Sequence, residues 1–114
     1  MISDQHLDYD VINTLKDIME DDFRFLVETY FQDSHSRIST LRNAVAIKDS
    51  DGVRRAAHSF KGSCSNLGAL HLAGLCAALE RDSLQENFAV LGSSIDVVEN
   101  EFALVQKMLQ EILI

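Results

Sequence analysis

His58, Lys61 and Gly62 lie within five residues of one another, and Arg54, Arg55 and Ser65 flank them at helical spacing. On a helix turning about 100° per residue, with His58 at zero, the apolar residues of this stretch gather on the far side. Ala56 falls at about 160°, Leu67 at about 180°, Phe60 at about 200°, Val53 at about 220° and Cys64 at about 240°. His58 therefore points at solvent. Arg54, Arg55, Lys61, Gly62 and Ser65 all fall within about 60° of it. Three cations beside a titratable ring disfavour the imidazolium and leave one ring nitrogen with its lone pair at neutral pH. A glycine inside a helix costs about 1 kcal/mol relative to alanine, and at position 62 the missing side chain clears an approach to the ring. A free nitrogen, nearby cations and a cleared approach suit an incoming phosphoryl group. A solvated basic stripe with an incidental histidine and a packing glycine gives the same pattern, and these residues alone do not choose between the two.

Other chemistry has less to stand on. His6, His35 and His71 are far apart in the chain, and none has a second histidine or a cysteine three or four residues away. Cys64 and Cys76 lack the paired spacing of a zinc site and follow apolar stripes, as small core residues do. No Ser-His-Asp arrangement, glycine-rich phosphate loop or ATP-binding motif is present, so the chain is not expected to be an autonomous kinase, and no metal site is expected.

Helical periodicity runs through five segments that must position these groups. The first spans about Asp8 to Met19, with Val11, Ile12, Leu15, Ile18 and Met19 spaced for one face. Glu20, Asp21 and Asp22 break the pattern and supply acidic caps for the next helix. That helix runs from about Phe23 to Ile47, with Phe23, Leu26, Tyr30, Ser34, Ile38, Leu41 and Val45 stepping by three or four. Lys48 to Gly52 reads as a loop ending in an N-cap at Asp49 or Ser50. The third helix, about Asp51 to Leu67, stops at Gly68, which suits the left-handed C′ position. The fourth spans about Ala69 to Ser83, and Leu84 to Phe88 reads as a short loop. The last spans about Ala89 to Leu113, with Leu91, Ile95, Val98, Phe102, Val105, Leu109 and Ile112 on one stripe. The expected fold is all-α: an antiparallel four-helix bundle with a short extra N-terminal helix capping one end.

Composition agrees. The chain of 114 residues has no proline and only five glycines, too little turn vocabulary for a β-sandwich or barrel. One domain over 1–114 is expected. The net charge of −8 argues against nucleic acid as main partner. Charge is nonetheless uneven. Between His35 and Ser65 six basic residues (Arg37, Arg42, Lys48, Arg54, Arg55 and Lys61) face two acidic ones, a local net of +4 within a chain whose remainder carries −12. Such a stretch suggests a docking surface for something negative. No apolar run is long enough to span a bilayer, and Met1 to His6 has neither a basic nor an apolar leader region, so a cytoplasmic, reduced setting with no membrane partner is expected.

The run Ala57-His58-Ser59-Phe60-Lys61-Gly62-Ser63-Cys64-Ser65-Asn66-Leu67-Gly68-Ala69 closely resembles the phosphorylation motif of histidine-containing phosphotransfer (HPt) domains, approximately A-H-x-L-K-G-[SA]-[SA]-x-x-[LVI]-G-A. Phe60 stands where leucine is commonest, a mild departure. Leu72 to Glu80 is similar to the family's following helix, and Phe31-Gln32-Asp33 and Leu41-Arg42-Asn43-Ala44 to its long second helix. The resemblance implies a four-helix bundle whose exposed histidine takes a phosphoryl group from a receiver-domain aspartate of a hybrid sensor kinase and passes it to a response-regulator aspartate. By position it makes His58 the phosphorylated residue, places Lys61 beside the phosphoryl oxygens and leaves room for the receiver at Gly62. Glu80 falls near a position where some members have a polar residue touching the histidine. Arg54, Arg55, Ser65 and Glu80 are the expected partner-binding residues. Mg²⁺ is expected on the receiver, with no cofactor held by this chain. The resemblance also points to a bacterial protein working as a monomer. Met1 and the lack of linker-like stretches favour a separate protein over a domain of a larger kinase. Two other readings are a binding module that sequesters a receiver without transfer, against which the intact His58 and Lys61 argue, and a helical ligand or metal carrier, which the missing inward Glu/His set disfavours.

Overall fold

The computed structural model of the protein describes residues 6–114; the reading that the chain starts without a leader falls, from Met1 to Gln5, outside them. Five helices follow in order: α1 (Tyr9–Met19), α2 (Asp22–Ala46), α3 (Ser50–Asn66), α4 (Leu70–Asp82) and α5 (Phe88–Leu113). Helix α2 packs on α3, α3 on α4, α4 on α5 and α5 back on α2, so the four make a square with α3 and α5 on opposite corners. Helix α1 lies against α2. It is also tied to the α3–α4 turn, where the Asp8 N–H donates to the Gly68 carbonyl at 2.8 Å. This is the expected bundle with its N-terminal cap. Among the described residues no helix is long and apolar enough to cross a membrane.

The core is built where the periodicity put it. Val53, Phe60, Cys64, Leu91, Ile95, Val105 and Leu109 have no exposed surface. Phe102 of α5 is its centre: the rings of Tyr30, Phe31 and Phe60 meet it edge-on at centroid distances of 6.0, 6.5 and 6.3 Å. Helix α2 buries more than its simple stepping indicates, with Val27, Phe31 and Ala44 added and Leu26 and Val45 only half-buried. The reason is its position: it faces α1, α3 and α5 and needs a wide apolar face. Ile18, assigned to the buried face of α1, is 72% exposed, because α1 only caps the bundle and covers one narrow side.

The helix ends show three further details. Asp8 and Asp49 are true N-caps, accepting from Asp10 and Gly52 N–H groups at 3.0 and 2.9 Å. The acidic run before α2 does not cap it: Asp21 is helical in backbone and makes no side-chain cap bond, while the left-handed Glu20 (φ 51°) turns the chain and its carbonyl accepts from Phe23 N–H. The expected loop after α4 is a 3₁₀ turn, Ser83–Gln85, before the left-handed Glu86 and the Asn87 cap of α5. It stays helical because the buried Ser83 hydroxyl donates to the Glu80 carbonyl at 2.6 Å.

Gly68 closes α3 at φ 75°, as expected, and a Cβ there would stand 3.2 Å from atoms of Asp8 and Val11. Gly68→Ala should therefore destabilise the bundle by about 1–2 kcal/mol from the backbone conformation alone, more with the crowding. A thermal melt showing no loss would contradict this account of the α1 tether.

Candidate functional site

Burial of Phe60 fixes the rotation of α3 and turns His58 outward, with 65% of its side chain exposed. The sequence-derived orientation is correct. Glu80 comes in from α4 and is shared between the two expected functional residues. Its Oε2 lies 3.0 Å from His58 Nδ1, and its Oε1 accepts from Lys61 Nζ at 3.0 Å. A carboxylate only accepts, so Nδ1 carries the proton, and in the neutral ring Nε2 is the nitrogen with the free lone pair. The Lys61 ammonium, and after it the His58 contact, hold the Glu80 carboxyl below the usual glutamate range despite partial burial. The resulting stability is complete above that ordinary range and is lost as pH falls through Glu80's lowered value.

The electrostatics differ from the expectation of an unopposed cationic pole. Arg54 Nε and Nη2 both donate to Asp51 Oδ1, at 3.1 and 2.7 Å, and Arg55 Nε lies 3.3 Å from Asp51 Oδ2. Asp51 sits three and four residues before the two arginines, a spacing that brings side chains together on a helix. With Lys61 on Glu80, all three cations near His58 already have a carboxylate. The idea that cations alone hold the ring unprotonated is therefore corrected: the closest charged group to the ring is an anion. Arg54, Arg55 and Ser65 remain on the exposed side of α3 as expected, but neither arginine's guanidinium is directed to His58.

The rest of the basic stretch divides. Arg42 belongs to the scaffold, donating to Glu99 at 2.6 Å and Asp96 at 2.7 Å across the α2–α5 contact. Arg37, counted in the stretch but given no role, reaches from α2 and donates to Ser59 Oγ at 3.0 Å. It lines a groove between α2 and α3 with Thr29, Asp33, Ser59, Gly62 and Asn66, open beside His58. Nothing lies within 4 Å of a Cβ placed on Gly62, as the expected clearance requires. Gly74 and Gly92 are equally open, so it is position next to His58, rather than openness, that distinguishes Gly62.

Cys64 and Cys76 are free and buried, with Tyr30 Oη and Cys64 Sγ 3.3 Å apart. The outlying histidines are less scattered than the chain suggests: His6 and His71 meet edge-on at 5.9 Å, His6 Nδ1 bonds the buried Glu101, and His35 packs on Phe102. Among the described residues no group of three or more His, Cys, Asp or Glu is placed to hold a metal ion.

With this geometry in hand, comparison with known proteins is direct. The family model described as the Hpt domain matches residues 26–113. The chain is 38% identical over 85 residues to the sensor protein TorS of Escherichia coli (strain K12), a match covering 72% of this chain and 9% of that far longer protein. It superposes on the crystal structure of histidine-containing phosphotransfer protein B (HptB) from Pseudomonas aeruginosa PAO1 with a TM-score of 0.91 and 37% identity, covering 96% of this chain and 95% of that one. The chain belongs to the Hpt domain family. Hpt domains are phosphocarrier modules of two-component phosphorelays, and a histidine phosphotransfer role follows for this one.

If Glu80 orients the imidazole, Glu80→Ala should release the tautomer preference. Nitrogen-15 NMR of the His58 ring should show the proton on Nδ1 in the wild type and shared between both nitrogens in the variant, with the fold unchanged. An unchanged Nδ1 signal would remove Glu80 from this role.

Proposed function

We propose that the chain takes a phosphoryl group onto His58 Nε2 from the phosphoaspartate of a hybrid sensor kinase's receiver domain and delivers it to the receiver aspartate of a response regulator. The observation that carries this reading is Glu80 bridging His58 Nδ1 and Lys61 Nζ on an exposed pole. In the forward step the Nε2 lone pair forms the N–P bond as the aspartyl O–P bond breaks, and the aspartate leaves as a carboxylate. The ring gains positive charge while Nδ1 keeps its proton, and Glu80 Oε2 faces that charge, as the buried aspartate does for an imidazolium in a Ser-His-Asp triad. No general base is needed. Lys61 has three ammonium donors; one is committed to Glu80, leaving two for phosphoryl oxygens. Transfer of this kind depends mainly on positioning and charge neutralisation.

The carboxylates flanking His58, Asp51 and Glu80, are engaged by arginine, lysine and imidazole groups. They form no free oxygen set of the kind Mg²⁺ requires, so Mg²⁺ is assigned to the receiver. In this reading the protein is a single-domain, monomeric carrier in the cytoplasm without kinase activity of its own. The receiver's acidic pocket meets Lys61, Arg54 and Arg55, with Ser65 and Gly62 at the contact, in a fast and transient encounter.

Incubation with a phosphorylated receiver should place an acid-labile, base-stable phosphate on the wild type and none on His58→Gln. That exposed substitution should leave stability within about 0.5 kcal/mol. Label on His58→Gln would overturn the assignment; a tight receiver complex with no transfer would favour the sequestering module instead.

The open space at position 62 gives a second expectation. Gly62→Ala should raise stability by up to about 1 kcal/mol, while Gly62→Gln should fold normally and transfer more slowly by blocking the receiver's approach. Normal transfer by Gly62→Gln would show that nothing docks over this glycine.

A further inference from the structure

We propose that Leu84, at the tip of the turn between α4 and α5, anchors the docked receiver domain by entering an apolar depression beside that receiver's acidic pocket. This rests on the phosphotransfer reading and adds to it a residue that nothing in the motif around His58 indicates. Leu84 is 73% exposed, a large apolar side chain left in water. Its turn packs against α3, the helix of His58, and against α4, the helix of Glu80. Leu84 follows Glu80 by four residues, about one helical turn, so the turn extends the site along the same edge.

The tip is held firmly. Ser83 is 1% exposed, and its hydroxyl donates to the main-chain carbonyl of Glu80, the residue whose side chain grips His58 and Lys61. Glu86 N–H donates back to the Ser83 carbonyl at 3.2 Å, and Asn87 Oδ1 fixes the start of α5 by accepting from Val90 N–H. Docking thus orders little that is not already ordered, which is the condition under which a single side chain contributes most to binding. The neighbouring surface fits an anchor with a polar surround: Arg54 and Arg55 on α3 are exposed or half-buried cations, and a receiver's phosphorylation pocket is acidic. Of the other exposed apolar residues, Val90, Val97 and Leu104 lie on α5, diagonally across the square from α3 and outside a contact centred on His58.

The test is steady-state transfer from phosphorylated receiver domains of hybrid kinases to wild type, Leu84→Ser, Leu84→Met and Val97→Ser, with potassium phosphoramidate as a small donor that needs no docking. Leu84→Ser should raise KM for the receiver about tenfold while kcat stays within about twofold, the signature of lost ground-state binding. Leu84→Met should restore KM, Val97→Ser should match wild type, and all four should take label from phosphoramidate equally. An unchanged KM for Leu84→Ser, or a loss confined to kcat, would overturn the anchor while leaving the carrier intact. Failure of the wild type to accept phosphate from every receiver would overturn the carrier reading and the anchor with it.

Discussion

The functional face depends on a residue that never touches solvent. Phe60 is wholly buried and meets Phe102 at the centre of an aromatic cluster fed by three helices. Two residues along a helix is a rotation of about 200°, so fixing Phe60 inward fixes His58 outward. Val53, Ala57 and Cys64, also fully buried, hold the same rotation along α3. The reactive ring thus gains a defined direction from packing against which it makes no contact itself. The large residue where leucine is commoner serves this purpose well, because an aromatic ring has a directional partner in Phe102.

Given that rotation, one carboxylate organises the chemistry. Glu80 meets the ring nitrogen that must keep its proton and the ammonium that must stay near, one oxygen to each. The arrangement leaves His58 exposed enough to be reached and Lys61 tethered without exhausting its donors. Asp51 does a comparable thing for Arg54 and Arg55, keeping two cations extended along the rim of the site. The surface therefore presents organised positive groups rather than a concentration of repelling ones.

The exposure of His58 was legible from the residues because it needs only the helical repeat and a clear apolar face on 53–67. The bundle was legible for the same reason, as was the Gly68 stop. The Asp51 pairs were within reach of the sequence through their three- and four-residue spacing. What periodicity could not supply is the register of α4 on α3, and with it the carboxylate beside the ring: Glu80 and His58 meet only because two helices slide to one alignment. The breadth of the buried face of α2 and the exposure of Ile18 were hidden similarly, since both depend on how many neighbours a helix has. The 3₁₀ turn at Ser83–Gln85 was read as loop because its determinant, a serine side chain folded back on a carbonyl, leaves no pattern in the chain.

The short connection through Gly68 has a consequence for how the molecule assembles. His58 and Glu80 are separated by 22 residues and Lys61 and Glu80 by 19, whereas Arg42 reaches Glu99 across 57 and His6 reaches Glu101 across 95. Loop-closure entropy rises with the logarithm of separation, so bringing His6 to Glu101 costs about 1 kcal/mol more chain entropy than bringing His58 to Glu80. The α3–α4 hairpin is thus among the cheaper tertiary units to close, as is the α2–α3 pair that Arg37 and Ser59 join across 22 residues, and His58, Lys61 and Glu80 belong to that hairpin entirely. Fraying of α1 or of the far end of α5 opens long loops elsewhere and leaves that hairpin's own closure untouched.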